Sequence, residues 1–159
     1  MPMPKPTGKQ ALAGTVGAAA AGLLIALVAQ WEGKRNEPYR DIVGVMTVCY
    51  GETRVPMRRY SDAECNEMLA DGINDFAKVV LARNPELRGH PYQLAAATSL
   101  AFNIGGAAYT RSTVAKRFTA RRWREACDGF LAWSYAGGRQ IKGLLNRRRA
   151  EREICLRGL

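Results

Sequence analysis

The chain has 159 residues, of which 47% are hydrophobic, and a net charge of +10. That length accommodates one domain with a true core or two small lobes, and the composition excludes a disordered or repeat-built chain. From Arg111 to Leu159 thirteen Lys/Arg face four Asp/Glu, while the rest is nearly neutral; the basic third suits an anionic partner (nucleic acid, a membrane surface, an acidic wall polymer) or a set of solvated helix faces.

Pro2, Pro4 and Pro6 predict an extended amino terminus. Residues 11–30, "ALAGTVGAAAAGLLIALVAQ", carry no charge. As one helix they would rise about 30 Å, the thickness of a hydrocarbon core. Lys5 and Lys9 precede the run, so its amino end is expected in the cytoplasm. Eleven of the twenty residues are Gly or Ala, which makes the span weak. Cutting after Ala26 or Ala29 would leave Leu24 or Leu27 at the −3 position, so cleavage as a signal peptide is disfavoured. An uncleaved, marginal anchor fits better than a buried Ala-rich helix. Gly14, Ala18, Gly22 and Ala26 share one helical face, expected to pack closely on another helix or, outside the membrane, on the rest of the protein.

Residues 38–51 are rich in β-branched residues and hold Gly44 and Gly51, predicting a short hairpin. Ser61-x-x-Glu64 is a capping box, and Cys65, Met68, Leu69, Ile73, Phe76 and Val80 follow at helical spacing. Asn84-Pro85 and Gly89-His90-Pro91 are breaks. "YQLAAATSLAFNI" predicts a central helix ended by Gly105-Gly106. Basic helices are expected over 112–118 and 123–133, then a "YAGG" loop, and a last helix from about Ile141 to Cys155. The class is α+β, mostly helical with a small β lobe.

Cys49, Cys65, Cys127 and Cys155 include no CxxC pair, which speaks against zinc or thioredoxin-type chemistry. After export they would form two disulfides in one of three pairings; in a reducing compartment they would be buried thiols. His90 is the single histidine, so neither a metal site nor a Ser/His hydrolase is expected; Ser134 lacks a G-x-S-x-G elbow, and no phosphate-cradling glycine motif or other cofactor signal is present. Trp123 and Trp133 read as core, and Trp31 as an interface anchor or a sugar-stacking ring.

Glu32 is followed nine residues on by Asp41 and six further by Thr47. Two carboxyl groups across a cleft are what glycoside hydrolysis requires: one protonated to protonate the leaving oxygen, one ionised to activate water or attack. A hydroxyl such as Thr47 orients a water. Glu37, the nearest rival, precedes Pro38 and should leave the helix. The spacing alone is common. In context, "WEGKRNEPYRDIVGVMTVCYGET" resembles glycoside hydrolase family 24, the phage-type lysozymes, through Glu32-Gly33, Tyr39-Arg40-Asp41, Gly44, Thr47 and Gly51; Glu52 stands where that family often has His. "AFNIGGAAYTRST" and "WSYAGGRQIKGLLNRRRAEREICLRG" are similar to its cleft segment and its lambdoid-type C-terminal signature, so the resemblance runs from about Trp31 to Gly158.

The resemblance implies a lysozyme-like catalytic domain over 31–159 behind a signal-arrest-release segment over 1–30. It implies hydrolysis of the β-1,4 bond between N-acetylmuramic acid and N-acetylglucosamine in peptidoglycan. Glu32 would be the general acid, and Asp41 with Thr47 would serve the water. Phe102 and Asn103 would line the cleft and Arg147 would lie near Glu32, with Arg148 and Arg149 as alternatives in register. An inverting course would follow, with carboxyl groups about 6.5–9.5 Å apart. It further implies export by the host secretion machinery, tethering in the inner membrane through 11–30, and release to the periplasm as a monomer, with nucleic acid playing no part. Because the segment has no cysteine, thiol exchange with an anchor cysteine is excluded as the control. The competing reading is a membrane-anchored basic helical module that binds nucleic acid or anionic lipid without catalysis.

Overall fold

The computed structural model describes residues 1–159. Eight α-helices and two small antiparallel hairpins form a helical body with a β lobe, the α+β architecture expected. The first residues depart from expectation. The apolar run is not one helix: α1 (Gly8–Val16) and α2 (Ala18–Ala29) meet at Gly17, whose φ of +90° a side chain would strain. No helix is long and apolar enough to cross a membrane. Both helices lie on the body. Leu12, Ala21, Leu24 and Val28 bury against Leu69, Ala70, Ile73 and Ala77 of α3 (Asp62–Arg83) and Ala95 of α4 (Pro91–Ile104). Each of the two leucines and the valine stabilises the docked state by about 2 kcal/mol. The small-residue face does the opposite of what was expected. Gly14, Ala18, Gly22 and Ala26 all face solvent, because burying the aliphatic face removes more apolar area from water. Close approach occurs instead at Gly8, where a Cβ would sit 2.1 Å from the Glu67 carbonyl oxygen, and the Lys9 N–H donates to Glu67 Oε2 at 2.9 Å.

The lobe is a hairpin of β1 (Arg35–Arg40) and β2 (Met46–Cys49), with Tyr39 opposite Thr47. Ser61 and Glu64 form the reciprocal capping box that starts α3. Hydrogen bonds from Lys34 and Asn36 hold the Asp62 carboxyl below its ordinary value in the same first turn. Gly105, at φ +96°, ends α4 as foreseen. The next helix, α5 (Gly106–Arg111), was not foreseen. It is followed by α6 (Thr113–Thr119) and α7 (Trp123–Asp128). The helix expected over 123–133 tightens at Gly129 into a 3₁₀ turn, where a Cβ would press on Val114 and Arg117. The "YAGG" loop is a tight hairpin, β3 (Tyr135–Ala136) and β4 (Arg139–Gln140), turned by Gly137 and Gly138 at positive φ.

The final helix, α8 (Lys142–Cys155), packs on α4. Its open carbonyl ends at Cys155 and beyond are met by Gln93 Nε2, which donates to Cys155 O at 2.6 Å and Arg157 O at 2.9 Å. The buried Asn84 joins α3 to α5 and α6, accepting from the Tyr109 hydroxyl at 2.7 Å and donating to Ala115 O at 3.0 Å. The disulfides are Cys49–Cys65, which staples the lobe to α3, and Cys127–Cys155, which staples α7 to α8. The latter closes 28 residues of sequence, so Cys127→Ser with Cys155→Ser should cost about 3.5 kcal/mol, read as a fall in denaturant midpoint.

Candidate active site

Glu32 stands just beyond α2. Its backbone N–H and that of Trp31 both donate to Val28 O, at 3.2 and 3.1 Å, so the Glu32 main chain is fixed by the last turn of that helix. Where α2 docks therefore decides where Glu32 points. Arg147 on α8 donates from Nη1 to Glu32 Oε1 at 3.0 Å, with side chains 6% and 28% exposed respectively. Glu32 Oε2 takes no hydrogen bond from the protein. The pair walls an open groove of about 390 Å³ together with Trp31, Asn103, Ile141, Gly143 and Leu144. Three parts of the chain thus converge: the exit of α2, the last turn of α4, and the entry of α8.

The structure brings together Glu32, Asn103 and Arg147. Of the three consecutive arginines, Arg147 meets Glu32, Arg148 is fully buried, and Arg149 is exposed. Phe102 does not wall the groove; its ring packs edge-on against Phe76 with centroids 5.3 Å apart. Asp41 and Thr47 lie on the hairpin and are not among the groove's walls. Asp41 Oδ1 accepts from the N–H groups of Val43 (2.9 Å) and Val45 (2.8 Å), which fixes the carboxylate on the turn and leaves its second oxygen unengaged. Thr47 is buried, and its hydroxyl donates to Val45 O at 2.9 Å. With its proton committed, that hydroxyl faces any water as an acceptor. Glu37 is exposed on β1 and pairs with Arg59 at 2.9 Å.

Behind Arg147 lies a polar network that sequence reasoning missed. Glu151, with no exposed surface, approaches Arg148 Nε at 2.6 Å and Arg147 Nε at 3.6 Å, and accepts a short hydrogen bond from the Ser99 hydroxyl on α4. Burial pushes the Glu151 carboxyl up, against the opposing pull of Arg148, Ser99 and Arg147. It pushes Arg148 down, against the pull of Glu151. The spacing signal was present: Glu151 is four residues from Arg147 and three from Arg148, the reach of helical neighbours. Removing one partner of a buried pair is the costly change, because it leaves the other charge uncompensated. Glu151→Gln should therefore destabilise the fold by about 3–5 kcal/mol, read by thermal or denaturant melting.

Comparison with known proteins places the chain in a family. The phage lysozyme family model matches residues 29–151. The SAR-endolysin of Enterobacteria phage P21 is 36% identical over 169 aligned residues, covering 96% of this chain and 98% of the relative. That of bacteriophage PS34 is 39% identical, covering 80% and 77%. Among solved structures, a point mutant of P22 lysozyme superposes with a TM-score of 0.73 at 27% identity, over 84% of this chain and 94% of the other. The active form of P1 phage endolysin Lyz superposes at 0.69 and 25% identity, over 91% and 86%. The family match, with a helical body and a hairpin lobe, defines a lysozyme-type glycoside hydrolase. The chain belongs to the phage lysozyme family and is an endolysin that breaks down peptidoglycan.

Proposed function

We propose that the groove at Glu32 is the catalytic cleft and that the bond cleaved joins N-acetylmuramic acid to N-acetylglucosamine. The observation that carries this reading is the Glu32–Arg147 contact on the groove wall, with one carboxyl oxygen held and the other free. Protonated Glu32 donates to the glycosidic oxygen as the bond from that oxygen to the anomeric carbon breaks. A water accepted onto Thr47 and deprotonated by Asp41 then adds to that carbon from the opposite face, giving inversion. Arg147 Nη1 holds Glu32 Oε1 and so orients the carboxyl at the groove wall. Asn103 supplies amide donors and an acceptor to the sugar. No cofactor or metal enters the scheme.

The same reading extends to place. Residues 1–30 act first as the tether, inserted by the host secretion machinery with the amino terminus cytoplasmic, and the freed protein works in the periplasm as a monomer. The names of the relatives support this, as does the weak apolarity of residues 11–30. So does the bonding of Glu32 to Val28, which makes the site depend on α2 leaving lipid and docking on α3 and α4. The test is full-length protein on purified peptidoglycan, with and without reconstitution into liposomes, scored by new reducing ends at N-acetylmuramic acid. Activity in solution and none in liposomes is the expected result. Equal activity in both removes the tether as a control; none in either, with salt-sensitive DNA or lipid binding, favours the non-catalytic module.

A further inference from the structure

The tip of the first hairpin carries an apolar knob that nothing in the molecule covers. Ile42 and Val43 are 104% and 77% exposed, and Val45 and Met46 beside them are exposed as well. The turn does not require them, since Asp41 Oδ1 holds the N–H groups of Val43 and Val45, and Gly44 supplies the positive φ. Solvent-facing turns ordinarily carry polar residues, and adjacent exposed aliphatics mark a contact surface. The lobe around the knob is cationic: residues 33–60 hold six Lys/Arg against three Asp/Glu. Arg58 and Arg59 pair with Glu64 and Glu37, and Lys34 with Asp62. Arg35, Arg40 and Arg54 form no ion pair, and Arg40 Nη1 donates to Gly44 O at 3.1 Å, holding a free guanidinium at the tip itself.

An aliphatic tip beside an unneutralised guanidinium fits one kind of surface, an anionic bilayer. The side chains enter the boundary between headgroups and acyl chains, and the guanidinium meets lipid phosphate. We propose that the Ile42–Met46 tip is a membrane-contact element, one that seats on anionic lipid and holds the hairpin away from glycan while residues 11–30 are tethered. This rests on the tethered-muramidase reading above. β1 begins at Arg35, five residues past Gln30, so the tether keeps the hairpin at the lipid surface. A linker that short gives an effective concentration on the order of millimolar, enough to make a weak contact count. Asp41 directly precedes Ile42 and Thr47 directly follows Met46, so seating the tip places both groups among headgroups. Release of the tether removes that proximity and the contact lapses.

The experiment compares the full-length protein with Ile42→Ser/Val43→Ser/Val45→Ser. These side chains belong to none of the core clusters, and equal melting of the two proteins confirms that the fold is intact. Both are sedimented with phosphatidylcholine vesicles, with and without phosphatidylglycerol, at low and high salt. Muramidase rates on soluble glycan fragments are read in parallel with and without the same vesicles. The expected result is at least fivefold tighter, salt-sensitive binding of the parent to phosphatidylglycerol vesicles, and a several-fold drop in its rate that the triple variant escapes. Arg40→Gln should lose the preference for phosphatidylglycerol while keeping basal activity. Equal sedimentation of parent and triple variant overturns the proposal, as does absence of binding by the parent. Tip-dependent dimerisation in free solution, without lipid preference, assigns the knob to a second copy and also overturns it. If the vesicle-free rate is zero while tip-dependent sedimentation persists, the contact stands and the muramidase reading falls.

Discussion

Glu32→Gln should lower the muramidase rate on the order of 10³-fold, the range expected on removing a general acid. Gln keeps the length of the side chain and an oxygen to accept from Arg147 Nη1, so the groove retains its shape. What it lacks is an acidic proton to give the departing sugar. Arg147 loses its contact with a carboxylate, yet Glu151 remains 3.6 Å from its Nε, so melting should shift little beside the loss of rate. Initial rates of reducing-end release, with a melting curve on the same sample, separate the two effects. Retention of a tenth or more of the rate would move the acid elsewhere. Glu37 would inherit the question, although its exposed position opposite Arg59 offers no groove in which to hold a sugar.

Gly14→Leu with Gly22→Leu should block lysis while leaving the refolded enzyme active. The separation is available because both glycines face open space: a Cβ at either meets nothing within 4 Å. Leucine at these sites therefore does not obstruct docking of α1 and α2. In lipid the same leucines are covered, and release would move both into water. At about 2 kcal/mol each, the release equilibrium shifts by about 4 kcal/mol, on the order of 10³-fold toward the membrane. Fractionation should find the variant with the inner membrane after the parent has become soluble, and culture turbidity should stay level. Lysis on the parent's schedule would show that the marginal apolarity of the segment is not what permits its exit.

Much of the fold was legible because its signals are local. The capping box at Ser61 and Glu64 marked the start of α3, and Gly105 marked the end of α4, since each acts through groups within a turn of itself. The break at Gly17 was not legible. In a segment crowded with Gly and Ala, one glycine carries no special mark, and the kink follows from fitting two aliphatic faces onto α3 and α4. The outward turn of Gly14, Ala18, Gly22 and Ala26 was misread for a related reason: a small-residue face is an asset against another helix in lipid, but in water the leucines compete for burial and win. Disulfide pairing needed the packed body, as α7 and α8 meet only in three dimensions. At the site, Glu32, Asn103 and Arg147 came from motif resemblance; Arg147 contacts Glu32, and Asn103 lines the same groove. Glu151 and Ser99 went unseen because they touch Arg147 and Arg148 rather than the groove.

The placement of the two disulfides bears on timing. Cys49–Cys65 and Cys127–Cys155 lie wholly outside residues 1–30. Oxidation can thus be completed on a chain whose leading helices are still elsewhere, leaving a stapled body with a vacant slot lined by Leu69, Ile73 and Ala95. On the proposed reading, a population of such half-built enzymes accumulates ahead of need. The delay before lysis is then set by how long α1 and α2 take to arrive, not by the slow chemistry of forming and reshuffling bonds between sulfurs.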